Sequence, residues 1–244
     1  MRWVLLFCAL APAVAAAQAC CAGGSALTPG RLQLHEDAAV GISLEVNDVE
    51  GSFDSRRRFV ANPRGAHELG LEQELFVTIR AFERAQVSFL IPFVQTFRWA
   101  APIQDTGGGL GDVNMSARYD FVGAGEHELL PGIAALAGLT APSGRPPETS
   151  ARPLASDATG AGAFQVNLGV ALEQNFGAWL VNLSGLVALR TQRQVNGLTS
   201  QLGPQFTALA AVGYTFDNDA ALVLSANYAA ETDAFINGAR VARS

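Results

Sequence analysis

Val113, Met115, Ala117, Tyr119 and Phe121 are apolar and alternate without a break with Asn114, Ser116, Arg118 and Asp120. A period of two residues is that of a β-strand with one polar and one apolar face. The pattern recurs along the chain. Val40, Ile42, Leu44 and Val46 alternate with Gly41, Ser43 and Glu45, and Val87, Phe89, Ile91 and Phe93 share one face. Phe164, Val166, Leu168, Val170 and Leu172 alternate with Gln165, Asn167, Gly169, Ala171 and Glu173, and Phe206, Ala208, Ala210, Val212, Tyr214 and Phe216 continue the series. Nine strands are predicted, roughly at 38–48, 69–82, 86–97, 109–121, 129–141, 161–175, 178–190, 204–216 and 219–230. Most are longer than strands usual in soluble domains. The fifth, rich in Ala and Leu, shows no clean polar face. The glycines at 107–109 are no phosphate cradle, because a phosphate loop must open into a helix and Gly107, Gly109, Asp112 is not the G-x-G-x-x-G spacing.

The connections alternate as well. Those at 83–85, 122–128, 175–177 and 217–218 are short, whereas 49–68, 98–108, 142–160 and 191–203 are long. Short turns at one end and long loops at the other mark an up-and-down antiparallel β-barrel of the Gram-negative outer membrane. Phe82, Tyr119, Phe121, Phe176, Trp179, Tyr214 and Phe216 fall beside the short turns, and Phe97, Trp99 and Tyr228 near the long loops. Two aromatic belts fit two membrane–water interfaces. Phe82 has the wrong parity for its strand, so a bulge is expected there.

In such a barrel the apolar face meets lipid. Val40, Ile42, Leu44, Phe89, Ile91, Val113, Met115, Ala117, Phe164, Val166, Leu168, Val212 and Tyr214 are expected on it. Charges on that face are costly, so Glu45, Glu72, Glu74, Arg80, Asp112, Asn114, Arg118, Asp120, Glu173 and Arg190 are expected to face the lumen. They either select solutes by charge or fill a narrow barrel with a polar network. Arg56, Arg57, Arg58 and Arg64 in the first long loop either contact lipid phosphates or are solvated.

Composition narrows the class. The chain is 49% hydrophobic and only 16% charged, yet no apolar run after residue 19 is long enough for a helical membrane span. Residues 1–19, with Arg2, an apolar core from Trp3 to Leu10 and small residues before Ala17 or Ala19, read as a cleaved secretory signal peptide. Residues 20–36 are expected as a periplasmic tail, 37–231 as the barrel and 232–244 as an irregular tail or truncated loop. Adjacent Cys20 and Cys21 make neither an ordinary disulfide nor a metal site; a lipidated Cys20 is an alternative to a plain tail. A net charge of −6 argues against nucleic acid as a partner.

No catalytic, cofactor or metal motif stands out. Of the three histidines, His35 precedes the barrel, His67 falls in a long loop and His127 in a short turn. His67 could join Ser52, Asp54 or Ser55 in a hydrolytic set, or simply be solvated.

Three short motifs carry a resemblance. They are Ile91-Pro92-Phe93 within a strand, Gly109-Leu110-Gly111-Asp112 running on to Arg118-Tyr119, and Thr140-Ala141-Pro142-Ser143-Gly144. In this order, over roughly residues 31–230, the chain resembles the outer-membrane transporters named for the meta-cleavage pathway of phenol degradation. The resemblance implies passage of small, often apolar or aromatic, molecules across the outer membrane. The expected function is therefore a passive channel or transporter, no enzyme, with outer-membrane lipids and a small solute as partners. The alternatives are a non-conducting structural or adhesive barrel, a lipid-acting enzyme, and a soluble periplasmic sandwich. Nine strands leave the first and last parallel, so an open seam and a natural continuation past Ser244 are expected.

Overall fold

The computed structural model describes residues 31–32, 35–53, 58–127, 129–195, 197–217 and 220–241. The expected signal peptide, Cys20, Cys21, and Asp54 to Arg57 lie outside these residues. In chain order the strands are β1 (Ala38–Val49), β2 (Gly51–Phe53), β3 (Phe59–Ala61), β4 (Ala66–Phe82), β5 (Ala85–Ala100), β6 (Ile103–Leu110), β7 (Val113–Val122) and β8 (Gly132–Ala141). There follow β9 (Gln165–Phe176), β10 (Trp179–Arg190), β11 (Arg193–Val195), β12 (Leu198–Gln201), β13 (Gln205–Thr215), β14 (Ala221–Glu231), β15 (Ala234–Ile236) and β16 (Ala239–Val241).

Nine of these, β1, β4, β5, β7, β8, β9, β10, β13 and β14, lie side by side in that order in one antiparallel sheet. Every pair along the path is antiparallel, which makes the sheet an up-and-down meander. β1 and β14 end the path and do not pair with each other, leaving the expected seam open.

The burial pattern is inverted relative to a soluble protein. Val40, Ile42, Leu44 and Leu224 are 65–79% exposed on the outer face. Phe89, Ile91, Met115, Ala117, Phe164, Val166, Leu168 and Val212 are also exposed there, and Val113 and Tyr214 are half-exposed on the same face. Among the buried residues, by contrast, are Glu74, Thr78, Ser88, Asn114, Ser116, Arg118, Asn167 and Glu173. Among the described residues the buried apolar cluster is small: Ala134, Leu136 and Ala171, with Leu186 against it. Water would penalise this arrangement, because apolar groups belong inside a soluble fold.

β8 explains its own ambiguous pattern. Its inward positions, Gly132, Ala134, Leu136 and Gly138, are mostly small. They leave room for the longer side chains of β7 and β9 to reach over the strand. The expected bulge at Phe82 is present between Arg80 and Phe82, and turns Phe82 outward. A second bulge lies between Asp120 and Val122.

The structure corrects several expectations. The segment 109–121 is not one strand: Gly109 and Leu110 end β6, which pairs back onto β5, and β7 starts at Val113. The long connections 49–68 and 191–203 contain the hairpins β2–β3 and β11–β12. Residues 234–241 are no irregular tail but the hairpin β15–β16, which joins β11–β12 in a four-stranded sheet. His67 lies in β4, not in a loop.

Candidate functional site

Within the barrel's concave face two stations follow one another along the axis. At the short-turn end stands an ionic network. The Arg118 guanidinium holds both carboxylate oxygens of Glu173 at 2.8 and 2.9 Å. It also donates to one oxygen of Asp120 at 2.9 and 2.7 Å. Asn182 donates to Glu173 at 2.9 Å. Arg118 and Glu173 sit on β7 and β9, with β8 between them, and the small Gly132 and Ala134 let them meet. Both side chains are buried, so the bidentate geometry is what offsets their desolvation.

The chain before β1 enters this station. Arg31 pairs with Glu173, and the Leu32 amide donates to Gln86 at 3.1 Å. Leu32 is itself buried. Of residues 20–36, these described ones lie against the inner wall. Arg80 closes the same rim, donating to the carbonyls of Glu36 and Glu83 at 2.9 and 3.1 Å. Just beyond, Glu126 fixes the start of the turn that follows β7. The Gly123 amide and Arg84 both donate to its carboxylate and hold it below its ordinary pKa.

Towards the long loops lies a cavity of about 430 Å³. β4 supplies Glu72 and Glu74 to it; Leu90, Pro92 and Val94 of β5 form an apolar strip, and Asp112, Asn114 and Thr140 follow. Gln165, Arg190 and Gln205 line it too, and Ala158 and Thr159 of the loop 142–164 complete it. Arg190 is tied down by Gln165 at 2.8 Å, Gln205 at 2.6 Å and Glu231 at 2.9 Å.

That loop is held by the three motifs of the sequence, which meet at one corner. β5 exchanges its partner at Pro92: residues 85–90 pair with β7 and 93–100 with β6. The freed Pro92 carbonyl accepts the Gly111 amide at 2.9 Å. A Cβ on Gly111 would stand 2.8 Å from the proline ring, so only glycine passes there. Asp112 then accepts the amides of Gly144 at 2.8 Å and Ala161 at 2.7 Å. Ser143 accepts the Val113 amide at 2.9 Å and donates to the Gly111 carbonyl at 2.8 Å. A Cβ on Gly160 would collide with the Asp112 carboxylate at 2.3 Å.

Inside the loop, Asp157 is the anchor. The Ser150 hydroxyl, the Ala151 amide at 3.1 Å and Arg145 at 2.5 Å all donate to its carboxylate. These bonds, that from Ser150 foremost, hold Asp157 well below the usual carboxylate range. Arg98 donates to the carbonyls of Leu154 and Ala155 at 2.7 and 2.9 Å, and Asp105 accepts the Leu154 amide at 3.0 Å.

The expected interior residues are thus placed as follows. Glu72, Glu74, Asn114 and Arg190 line the cavity, and Arg118, Asp120 and Glu173 form the network. Glu45 lies on the inner side of β1 opposite Glu72, exposed beside the open seam. Arg80 is at the rim, and Asp112, in no strand, caps the corner. Sequence reasoning did not single out Arg31, Gln86, Asn182 or the loop residues. Gln86 and Asn182 carried a parity signal, whereas nothing local marks Arg31. His67 is exposed and meets Asp48 at 3.4 Å and the Trp99 ring at 5.2 Å.

Comparison with solved structures finds this fold in the crystal structure of an outer membrane channel from Pseudomonas putida F1. The two superpose with a TM-score of 0.66 at 16% identity, over 84% of this chain and 76% of that one. No curated protein matches the chain in sequence. Residues 54–243 match the family described as "Putative MetA-pathway of phenol degradation". This span contains all three motifs of the corner and most of the barrel, and the chain belongs to that family.

Proposed function

We propose that the protein is an outer-membrane channel through which small solutes pass passively. The observation that carries this reading is the inversion of the barrel. An apolar outer face meets lipid, while the inner face holds charges around a solute-sized cavity. The fold shared with an outer membrane channel supports it, and so does the family. The cavity combines an apolar strip on β5 with a few polar groups, which suits small, partly apolar or aromatic molecules. Liposome swelling tests it: vesicles carrying the purified protein should swell in small neutral solutes such as phenol or glycerol faster than empty vesicles. Equal rates would refute passage.

A second reading rests on the network at the short-turn end. Arg118, Glu173, Asp120, Arg31 and Leu32 gather on the inner wall there. A barrel that stays closed at this station has a structural role and does not conduct. Swelling that is absent in the parent protein but appears when Arg31 is replaced would favour this reading.

A further inference from the structure

The cavity is walled by acceptors that lack donors. Glu74 is only 1% exposed, and its Oε2 has no hydrogen-bond partner. Asn114, 2% exposed, spends its amide NH₂ on Thr140 at 2.9 Å, while its Oδ1 has no partner. Glu74 stands beside Pro92 in the β4–β5 ladder, and Asn114 beside Leu90 in the β5–β7 ladder. The two orphaned acceptors therefore flank the apolar strip of β5, and both line the cavity. A buried acceptor left without a donor is costly, so a donor belongs in this space.

Charge decides the kind of donor. Glu45 stands opposite Glu72 across β1 and β4, and Ser43 opposite Glu74, so three carboxylates crowd one wall. The arginine lining the cavity, Arg190, is already committed to Glu231, Gln165 and Gln205. Among the described residues no group of three or more His, Cys, Asp or Glu side chains is placed to hold a metal ion. The unmet needs are thus an N–H-bearing cation at the acidic wall and an apolar body along Leu90, Pro92 and Val94.

We propose that this cavity is a binding station for organic ammonium compounds, with the ammonium between Glu74 and Asn114 and the hydrocarbon part on the β5 strip. The proposal rests on the reading of the lumen as a solute path and names the solute class held there. An ammonium supplies three donors, enough for Glu74 Oε2, Asn114 Oδ1 and the Glu72 carboxylate. Charge-assisted bonds of this kind are the stronger ones.

The test is calorimetric titration of the purified, detergent-folded protein with hexylammonium chloride. Hexanol, hexanoate and calcium chloride serve as comparators. Hexylammonium should bind, hexanoate should not, and Glu74→Gln, which keeps the shape and removes the charge, should weaken binding about tenfold or more. Asn114→Asp should tighten it, and Glu83→Gln in a short turn should leave it unchanged. Three results would overturn the proposal: no binding of hexylammonium, hexanol binding equally well and indifferent to Glu74→Gln, or calcium displacing the ammonium. Should Glu74→Gln not fold, unchanged affinity in Asn114→Asp overturns it alone. Because binding is read without a membrane, a barrel that binds but does not conduct refutes only the channel, and one that conducts without binding refutes only this station.

Discussion

Arg118 and Glu173 join β7 to β9 across the width of β8, with both guanidinium donors matched to both carboxylate oxygens. Removing Glu173 leaves the buried Arg118 with Asp120 as its remaining carboxylate partner, so the general cost of about 3–5 kcal/mol for breaking a buried pair is an upper bound. Glu173→Gln should therefore destabilise the barrel by up to about that amount, read as a shifted midpoint in a urea titration into lipid vesicles. Replacing both residues together with Met should cost less than Glu173→Gln alone. A neutral single variant would show that the pair is not a structural clamp.

Arg31 reaches the same carboxylate from outside the barrel strands. A hydrogen bond to a charged group is worth about 1.5–3 kcal/mol, so Arg31→Ala should shift the seated population of residues 31–32 by about tenfold or more. Leu32→Cys, in a background with Cys20 and Cys21 changed to Ser, should then react faster with a charged maleimide by a similar factor. Unchanged labelling would mean that Leu32 is seated without Arg31.

Met115, the third residue of β7, lies on the outer face between Phe89 and Leu139. A cation there must enter hydrocarbon, so Met115→Arg should cost about 2–4 kcal/mol in the same vesicle titration. Ser116→Arg, which faces inward, should behave differently, through overpacking and not through lipid contact. Indifference to Met115→Arg would place that face in water.

The Asp157 anchor predicts an acid-resistant loop. A carboxyl group depressed in the folded state contributes stability that is fully present above its unfolded pKa and is lost only as pH falls through the lower, folded one. Amide protection of Ala151, which donates to Asp157, corrected for intrinsic exchange, should therefore persist between pH 7 and pH 5, and fail only below the ordinary carboxylate value of about 3.9. Asp157→Asn should lower that protection already at pH 7. Protection lost near pH 5 would contradict the assignment of Asp157 as anchor.

The nine long strands were legible because lipid outside and polar groups inside impose a strict period of two, as Val40 to Val46 and Phe164 to Leu172 show. Even the bulge at Phe82 followed from parity. What escaped lacks that period. β6 is written Ile-Gln-Asp-Thr-Gly-Gly-Gly-Leu, pairs with β5 as its one strand neighbour and otherwise meets the loop 142–164 through Asp105 and Leu110, so no alternating face marks it. The β15–β16 hairpin did carry a signal, the Asn237-Gly238 turn with both residues at positive φ, and the sequence repeats the Asn-Gly pair before β12, where Gly197 is at positive φ. The corner motifs were visible as strings, but that Pro92, Gly111, Asp112 and Gly144 touch one another follows only from the partner exchange of β5. Arg31 could not be found from the sequence, since its partner is 142 residues away and no local pattern requires it.

The central claim is that the polar concave face of the inverted barrel lines a conducting path. Single-channel recording in planar bilayers reads it directly. The account predicts discrete current steps on addition of the purified protein, with larger or more frequent openings in Arg31→Ala, where the short-turn station is loosened. A membrane that stays silent with both proteins, while each is shown to be folded by heat-modifiable gel migration, would contradict it.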